Sequence, residues 1–380
     1  MANTYNISPK WVAEVKGKAR GGVPTADDSS VGTNLVAWDG LKSLIEKSTT
    51  AGSTFTTNIV STYSLIYTAA SAYLGGVLAP NGDIHFITYT APVNQKISAA
   101  GVVSTYSLVY TAAGAYGGGV LAPNGDIHFV PGAAARGQKV SVSGVVSTYS
   151  LIYTSTSEAY RGGVLAPNGD IHFIPFRAPV GQKVSASGVV STYSLIYTAS
   201  GIAYEGGVLA PNGDIHFIPF SAPVGQKISP SEVVSTYSLV YTRGSAYGGG
   251  VLAPNGDIHM MPLTAGVGQK ISVSGVVSTY SLVYTATSAY LGGVLAPNGD
   301  IHFVAYGGGV GQKVSPNGVV STYTLVYTNT AQGTHIGGVL APNGDIYFIP
   351  FSTPVGQKIS TLSAVPFDTA LCLSPHFNKL

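Results

Sequence analysis

The sequence has little charge and almost no cysteine. Charged residues make up only 9% of its 380 residues, against about 25% in an average soluble domain. The formal net charge is +2, and the absence of a basic stripe argues against a nucleic-acid partner. The single cysteine, Cys372, excludes a disulfide framework within the chain.

Long apolar runs are also missing. Residues Met1 to Trp11 lack the apolar core of a signal peptide, and no later run approaches the length of a membrane span. We therefore expect a protein that is made in a cytoplasm without a signal peptide and that does not insert into a membrane.

What the sequence does contain is a sevenfold repeat. The segment Ser-Thr-Tyr-(Ser/Thr)-Leu-(Ile/Val)-Tyr-Thr recurs every 43 or 44 residues, followed by Gly-Gly-Val-Leu-Ala-Pro-Asn-Gly-Asp-Ile and then by Gln-Lys-(Ile/Val)-Ser. The copies begin at Ser61, Ser104, Ser147, Ser191, Ser235, Ser278 and Ser321. Seven β-rich units of this length are typical of a ring of blades. The sequence therefore predicts an all-β, seven-bladed β-propeller of four-stranded antiparallel blades.

Each repeat is predicted to contain four strands. Asn-Gly between two apolar runs is the strongest short hairpin signal, so Asn81-Gly82 is predicted to join strands Gly75–Ala79 and Asp83–Ile87 through a type I′ turn. Strands around Val93–Ser98 and Val102–Thr111 follow. The last of these is rich in Val, Tyr and Thr, which is typical of a strand packed on both faces.

The two ends of the repeat region are offset by one strand. The region opens with the long strand Ile59–Thr68, without a preceding hairpin, and its last copy ends at Ser360 without a following long strand. The simplest interpretation is that the N-terminal strand completes the seventh blade, which joins the ends and removes open sheet edges. The propeller is thus predicted to span residues 58–360.

The run Gly-Val-Leu-Ala-Pro-Asn-Gly-Asp-Ile-His-Phe resembles the first hairpin of propellers related to the NHL and streptogramin-lyase-like groups. Those families also place an Asn-Gly or Asp-Gly turn between the inner two strands of each blade. The resemblance covers about four-fifths of the chain and implies the fold. It does not carry a lyase active site, because no unit has an extra His, Glu or Arg constellation in its hairpin strands.

The flanking segments, residues 1–57 and 361–380, differ from the repeats. Residues Leu35–Lys47 are predicted to form a short amphipathic α-helix. The arrangement resembles tailed-bacteriophage virion proteins, in which a small N-terminal attachment segment precedes a β-rich display domain, and Leu373–Leu380 resembles a docking tail from such proteins. The candidate anchoring residues are Trp11, Leu35, Trp38, Leu41, Ile45 and Phe377.

Asp-Ile-His recurs in six of the seven units, and Tyr347 replaces His in the seventh. The copies fall in successive blades, too far apart to share a metal ion that needs three or four converging ligands, so a packed structural His is favoured. The Asp after each Asn-Gly turn lacks the dense oxygen ligands of a calcium loop, which favours turn capping or pairing with the repeat Lys. No metal site and no cofactor are predicted.

Two further candidates have a structural interpretation. Tyr63 with Tyr67, and Tyr106 with Tyr110, lie on one strand face each and could stack on sugars, but packing between blades is the default for such pairs. Cys372 lacks a nearby His–Asp motif and is not predicted to be a nucleophile. Because a sevenfold repeat offers equal groups around a ring instead of unequal groups about one point, we expect no catalytic residues and no enzyme.

Specificity is expected in the loops that vary among the copies. One variable loop follows the long strand and the other follows the hairpin, so both emerge on one face of the disc; neutral drift on an idle face is the alternative. The candidate recognition residues are Arg136, Tyr160, Arg161, Arg177, Tyr204, Glu205, Arg243 and His335.

The sequence thus predicts a non-enzymatic structural or binding protein, a phage virion appendage or tail-fibre-type component. Its expected partners are other virion structural proteins and a cell-surface glycan or receptor, and a homo-oligomer is compatible with this function. The alternative is a lectin-like, carbohydrate-binding propeller with several equivalent sites.

Overall fold

The computed structural model describes residues 59–198, 201–329 and 333–360, which form 28 β-strands. The first strand is β1 (Ile59–Ser64). The next eight are β2 (Tyr73–Leu78), β3 (Ile84–Thr88), β4 (Val93–Ile97), β5 (Val103–Ser107), β6 (Tyr116–Leu121), β7 (Ile127–Pro131), β8 (Gly137–Val140) and β9 (Val146–Tyr149).

The middle of the chain continues with β10 (Tyr160–Leu165), β11 (Ile171–Pro175), β12 (Val180–Val184), β13 (Val190–Ser194), β14 (Tyr204–Leu209), β15 (Ile215–Pro219), β16 (Val224–Ile228) and β17 (Val234–Ser238). The last third contains β18 (Tyr247–Leu252), β19 (Ile258–Pro262), β20 (Val267–Ile271), β21 (Val277–Ser281), β22 (Tyr290–Leu295), β23 (Ile301–Ala305), β24 (Gly311–Val314), β25 (Val320–Tyr323), β26 (His335–Leu340), β27 (Asp345–Pro350) and β28 (Val355–Ser360).

These strands form seven antiparallel sheets of four strands each. In six sheets the strand order follows the chain, as in β2-β3-β4-β5. The Gly-Val-Leu segments of the seven inner strands together line a cavity of about 360 Å³ on the central axis, and the Ser-Thr-Tyr strands form the rim. The predicted seven-bladed propeller, with Gly-Gly-Val-Leu innermost, is confirmed.

The seventh sheet has the order β1-β28-β27-β26, so it combines the first strand with the last three. β1 pairs with β28 over six residues, from Ile59 opposite Ser360 to Ser64 opposite Val355. The Tyr63 ring meets Tyr347 edge to face at 5.5 Å between centroids. The predicted closure by the N-terminal strand is confirmed.

The hairpin turn differs from the predicted type I′ turn. Only Gly82 has a positive φ, +85°, whereas Asn81 does not. The carbonyl of Ala79 accepts from the N–H of Gly82 at 2.9 Å, and the N–H of Ala79 donates to the carbonyl of Asp83 at 2.8 Å. Pro80 has no N–H, so it cannot donate to the carbonyl of Asp83 as the residue before a two-residue Asn-Gly turn must. Ala79 donates instead, and a three-residue loop ending in a left-handed glycine forms.

The rim strand is shorter and more exposed than predicted. β5 ends at Ser107 instead of Thr111, and its side chains alternate between half-buried and exposed. In β1 the side chain of Ile59 is 50% exposed, although its apolar character favours burial. Within residues 59–360, as far as the structure describes them, no further sheet covers the outer face of the rim, so this strand is packed on one face only.

The blades pack through aromatic cores and side-chain-free inner strands. Within the first blade the rings of Tyr73 and Phe86 lie 5.4 Å apart and both side chains are fully buried. Between the first two blades, a Cβ added to Gly119 would lie 2.6 Å from Cδ1 of Ile87 and 2.9 Å from Cγ2 of Val77. Glycine at this position therefore allows adjacent inner strands to approach closely around the axis.

A buried glutamine links every pair of neighbouring blades. The Oε1 atom of Gln182 in β12 accepts from the backbone N–H groups of Ile152 and Tyr153, which follow the rim strand of the preceding blade, at 3.0 and 2.8 Å. The same pair of hydrogen bonds recurs around the ring, and all seven glutamine side chains are fully buried. The seven are Gln95, Gln138, Gln182, Gln226, Gln269, Gln312 and Gln357.

The predicted attachment segment, docking tail and helix lie outside the described residues, together with Cys372 and all the candidate anchoring residues: Trp11, Leu35, Trp38, Leu41, Ile45 and Phe377. Their anchoring role stays a prediction.

Deleting residues 1–68 should open the ring. The deletion removes four half-buried apolar side chains, Val60, Tyr63, Leu65 and Tyr67; at about half of the 1.5–3 kcal/mol for a fully buried side chain, the loss is about 3–6 kcal/mol. It also exposes the edge of β28, so we expect oligomers by size-exclusion chromatography. Deleting residues 1–50 retains β1 and should give a stable monomeric propeller. Identical behaviour of the two truncations would show that β1 does not close the ring.

Replacing Gln182 should weaken the contact between the second and third blades. Gln182→Met keeps the side-chain volume but leaves two part-buried N–H groups without an acceptor, which should lower the free energy of unfolding by about 2–4 kcal/mol. Urea denaturation measures the change. Gln182→Glu should be less disruptive than Gln182→Met at acidic pH, where the protonated carboxyl keeps an acceptor oxygen and can donate to the carbonyl of Tyr153. Equal stability of Gln182→Met and the natural chain would refute a role for these hydrogen bonds.

Candidate functional site

The inner strands bring one variable residue of each blade to the axis. This residue stands between the core tyrosine, which His335 replaces in the seventh blade, and the Gly-Gly pair of the repeat. A β-bulge shifts the register of the strand there, as between Tyr73 and Gly76. The variable residue lies at the end of the inner strand that is farther from the Asn-Gly turn. The seven residues at this position are Leu74, Gly117, Arg161, Glu205, Gly248, Leu291 and Ile336.

A second set of variable residues lies directly after the second strand of each blade. The seven residues are Tyr89, Gly132, Phe176, Phe220, Leu263, Tyr306 and Phe351. Members of the two sets from different blades pack into one apolar cluster, in which Leu74, Leu263, Leu291 and Ile336 are buried and Tyr89, Phe220, Tyr306 and Phe351 are half-buried.

Arg161 and two carboxylates border this apolar cluster. The Arg161 guanidinium donates to Oε1 of Glu205 in the next blade and to Oε1 of Glu158, both at 2.8 Å. It also lies 4.2 Å from the centroid of the Phe176 ring. The hydroxyl of Tyr89 donates to Glu158 at 2.5 Å. We call the apolar cluster, Phe176 and these three charged side chains the axial cluster.

The charged part of the axial cluster is largely shielded from solvent. The side chains of Arg161 and Glu205 are only 17% and 10% exposed. Two of their atoms, Nε of Arg161 and Oε2 of Glu205, are buried without a hydrogen-bond partner. A buried donor or acceptor without a partner costs about 1–3 kcal/mol, so this arrangement is held at the expense of stability.

The two carboxyl groups differ in proton affinity. Burial raises the pKa of Glu205, and the charge of Arg161 only partly offsets this effect. Burial also acts to raise the pKa of Glu158, but the charge of Arg161 and hydrogen bonds from Arg161 and Tyr89 outweigh it and hold that pKa below its usual range. Two carboxyl groups with opposite shifts can hold one proton and one negative charge side by side, the asymmetry that acid–base chemistry and the recognition of hydroxyl groups both need.

The predicted recognition residues fall into three groups. Arg161 and Glu205 belong to the axial cluster, whereas Arg136, Arg177 and Arg243 are exposed on the surface. Tyr160 and Tyr204 are fully buried core residues, whose hydroxyls donate to the carbonyls of Val180 and Val224 at 3.1 and 3.2 Å. His335 takes the position of the core tyrosine in the seventh blade, and burial lowers its pKa to about 3.

The repeated polar residues of the hairpins link strands of the same blade. His172 is buried and its Nδ1 lies 3.4 Å from the hydroxyl of Tyr193, while Lys183 forms an ion pair with Asp170 at 2.8 Å. The predicted pairing of the turn Asp with the repeat Lys is confirmed in all seven blades. Among the described residues, no group of three or more His, Cys, Asp or Glu side chains is placed to hold a metal ion.

The two tyrosines of a predicted pair make different contacts. Tyr106 hydrogen-bonds to His85 of its own blade at 2.8 Å, whereas Tyr110 packs on Tyr116 of the next blade at 6.4 Å between ring centroids. Both tyrosines also pack against the hydrophobic cluster that the first two blades share, so the predicted packing between blades is confirmed.

Sequence reasoning missed most of the axial cluster, including Glu158 and the half-buried rings of Tyr89, Phe220, Tyr306 and Phe351. The available signal was the single position between the core tyrosine and the Gly-Gly pair, which changes from apolar to basic to acidic within an otherwise constant strand.

No protein-family model matches the sequence, and no curated protein sequence matches it. Among solved structures, a catalytically inactive virginiamycin B lyase from Staphylococcus aureus with quinupristin has a TM-score of 0.70 at 16% identity, over 80% of this chain and 100% of that chain. A streptogramin B lyase has a TM-score of 0.69 at 17% identity, over 81% and 99% of the two chains.

The extracellular domain of a putative hybrid two component system from B. thetaiotaomicron has a TM-score of 0.62 at 9% identity, over 82% of this chain and 44% of that chain. Likeness at these identities shows the fold, a seven-bladed propeller with streptogramin-lyase-like structural neighbours. None of these three is described as a virion protein. Within the described residues no helix is long and apolar enough to cross a membrane.

The prediction that this chain is not an enzyme is overturned by these comparisons, because structures that match the whole propeller are lyases. The premise of that prediction, that a sevenfold repeat offers only equal groups around the ring, is also wrong for this structure. The repeat supplies equal groups around the ring, but the variable position places Arg161 and Glu205 beside Leu74 and Leu291 near the axis. Unequal groups therefore do converge on one point.

Replacing Arg161 tests how the charged side chains of the axial cluster affect the free energy of unfolding. Arg161→Leu leaves the largely buried Glu205 carboxylate unpaired and should lower the free energy of unfolding by about 3 kcal/mol at pH 7. The double variant Arg161→Leu/Glu205→Leu copies the apolar residues of other blades and should regain part of that loss in urea denaturation, while Glu158 still lacks its ion pair. A double variant as unstable as the single one would show that the ion pair is part of the packing that stabilises the fold.

Proposed function

We propose that this propeller binds a carbohydrate at the axial cluster, on the face of the disc that carries the variable loops. The observation that supports the proposal is the convergence of unequal side chains, a basic group, two carboxyl groups and several aromatic rings, at one place on an otherwise sevenfold-repeated scaffold. Rigid scaffolds concentrate recognition in such variable positions.

The composition of the axial cluster favours a ligand with both apolar faces and hydroxyl groups. The half-buried rings of Tyr89, Phe220, Tyr306 and Phe351 offer flat apolar surfaces, on which the C–H faces of a sugar ring can pack. The buried Nε–H of Arg161 and Oε2 of Glu205 lack partners. One hydroxyl group that reached them would accept from the first and donate to the second.

A single axial site differs from the several equivalent sites expected of a lectin-like propeller. Leu74, Gly117, Arg161 and Glu205 occupy the same position in four successive blades, so each of these blades presents a different side chain there. We therefore expect one ligand per chain. A reaction on that ligand is compatible with the proposal, since the paired carboxyl groups of Glu158 and Glu205 have opposite pKa shifts.

A glycan array followed by isothermal titration calorimetry tests the proposal. We expect one site per chain and at least a tenfold weaker affinity for Tyr306→Ala, because the variant removes a half-exposed ring, while Tyr306→Phe keeps the ring and should bind nearly as well. Arg243→Ala is the control on the same face, because Arg243 is exposed in a variable loop. A silent array, or weakening by Arg243→Ala with no effect of Tyr306→Ala, would contradict axial binding.

The finer prediction, a phage appendage with virion partners, rests on the terminal segments alone. It stays a prediction of the sequence. The test is incorporation of the chain into particles with and without residues 1–57.

A further inference from the structure

The opposite face of the disc, which carries the Asn-Gly turns, contains clefts between neighbouring blades. The cleft between the first two blades has a volume of about 150 Å³. Pro80, Asn81, His85 and Lys96 of the first blade line one side, and Ser141–Gly144, the turn between β8 and β9 of the second blade, lines the other. None of these residues belongs to the axial cluster.

Two side chains of this cleft, His85 and Lys96, offer hydrogen-bond donors. The Nδ2 of Asn94 donates to the hydroxyl of Tyr106, which in turn lies 2.8 Å from Nδ1 of His85. The hydroxyl can in turn donate its own proton to Nδ1, and in that arrangement the neutral imidazole carries its proton on Nε2. Lys96 forms an ion pair with Asp83 at 2.7 Å and keeps further N–H groups free, with its side chain 33% exposed.

The same residue types recur between other blades. His128 with Lys139, His216 with Lys227, and His259 with Lys270 repeat the His–Lys pair, and each histidine Nδ1 lies 3.2 Å from a tyrosine hydroxyl. Glycine replaces Asn94 in these three blades. The lysine side chains in these three clefts are 35%, 33% and 34% exposed. The sixth and seventh clefts differ, because His302 is fully buried and Tyr347 replaces the histidine.

The cleft of the third blade is occupied by a carboxylate from the chain itself. Glu232, in the turn between β16 and β17, forms an ion pair with Lys183 of the preceding blade, whose side chain is only 13% exposed. The carboxylate also acts on His172: burial and Lys183 lower the pKa of this histidine to about 4, whereas Asp170 and Glu232 oppose the shift. Glu232 thus shows which chemical group the cleft accepts.

Glu232 also stands where the backbone favours glycine. Its φ is +65°, and five other blades have glycine at the same position, Gly101, Gly144, Gly188, Gly275 and Gly318, with φ between +79° and +85°. A side chain in the left-handed region costs roughly 1–2 kcal/mol. The third cleft is therefore filled despite a backbone penalty, whereas glycine leaves the equivalent clefts free.

From these observations we infer that four inter-blade clefts, marked by His85, His128, His216 and His259, are binding sites for the carboxylate group of a small polar ligand. Lys Nζ forms the ion pair, His Nε2–H donates a hydrogen bond, and the glycine of the facing turn leaves room for the rest of the ligand. The third cleft is closed by Glu232, so it does not bind.

Side-chain NMR of ¹⁵N-histidine-labelled full-length protein tests the inference site by site, since it detects even weak binding. With sodium glucuronate as the probe, the imidazole signals of His85, His128, His216 and His259 should shift together and saturate, and His172 should not. N-acetylglycine tests whether a peptide-type carboxylate binds as well as an acidic sugar; binding of either supports the inference. Glucose and N-acetylglycinamide, which lack the carboxylate, should cause no saturable shift.

Two matched substitutions change the state of a cleft: one opens the closed third cleft, and the other closes the open first cleft. Glu232→Gly should open the third cleft, so that His172 responds as a fifth site. Gly144→Glu should close the first cleft and abolish the response of His85 alone; a Cβ at Gly144 meets nothing within 4 Å, so the side chain fits. Gly144→Ala, the control without a carboxylate, should leave the His85 response unchanged.

The inference would be overturned by saturable shifts with the neutral probes, by a His172 response in the natural chain, or by a His85 response that survives Gly144→Glu. A lack of any response to both carboxylates would overturn it equally. Thermal unfolding of each variant confirms that the propeller is intact, so the loss of the His85 signal shift can be separated from loss of the fold.

Discussion

The hydrogen bonds of the buried glutamines are the constraint on which the ring depends. Gln95 accepts from Ile66 and Tyr67, and Gln357 accepts from Val326 and Tyr327, so the series runs through all seven blades without interruption. Each pair of hydrogen bonds forms just after a rim strand, where the chain turns toward the inner strand of the next blade. The inner strands, the bulge and the variable position beside it are placed by this repeated contact.

The fold follows from the sequence because its determinants are local and repeated seven times. Pro-Asn-Gly marks each turn, the Gly-Gly pair marks each inner strand, and the offset of the ends predicts the pairing of β1 with β28. The errors were local too: Pro80 excludes the type I′ turn, and a rim strand has no neighbour on its outer face. Because each signal recurs in seven copies, turns and strands that would be ambiguous in a single copy can be assigned.

The axial cluster could be predicted only in part, because it depends on ring closure. Arg161 and Glu205 stand 44 positions apart in the chain, one repeat length, which predicts neighbouring positions but not the side-chain conformations that form the ion pair. Tyr89 and Glu158 are 69 positions apart and bond through loops whose conformation no motif specifies. Comparison of the copies identifies Arg161 as variable. Because the inner strands surround the axis, the residues at the same position of the adjacent blades are its neighbours.

The closing strand sets the time at which the fold can be completed. Ile59 pairs with Ser360, so β1 leaves the ribosome about 300 residues before its partner β28 exists. At ~5–20 residues per second, the delay is about 15–60 s. The first six blades can form in order during that interval, whereas β1 has no blade of its own and its half-apolar surface stays uncovered. Ring closure is therefore the latest step of folding, and the newly made chain is most vulnerable to pairing with another copy just before it.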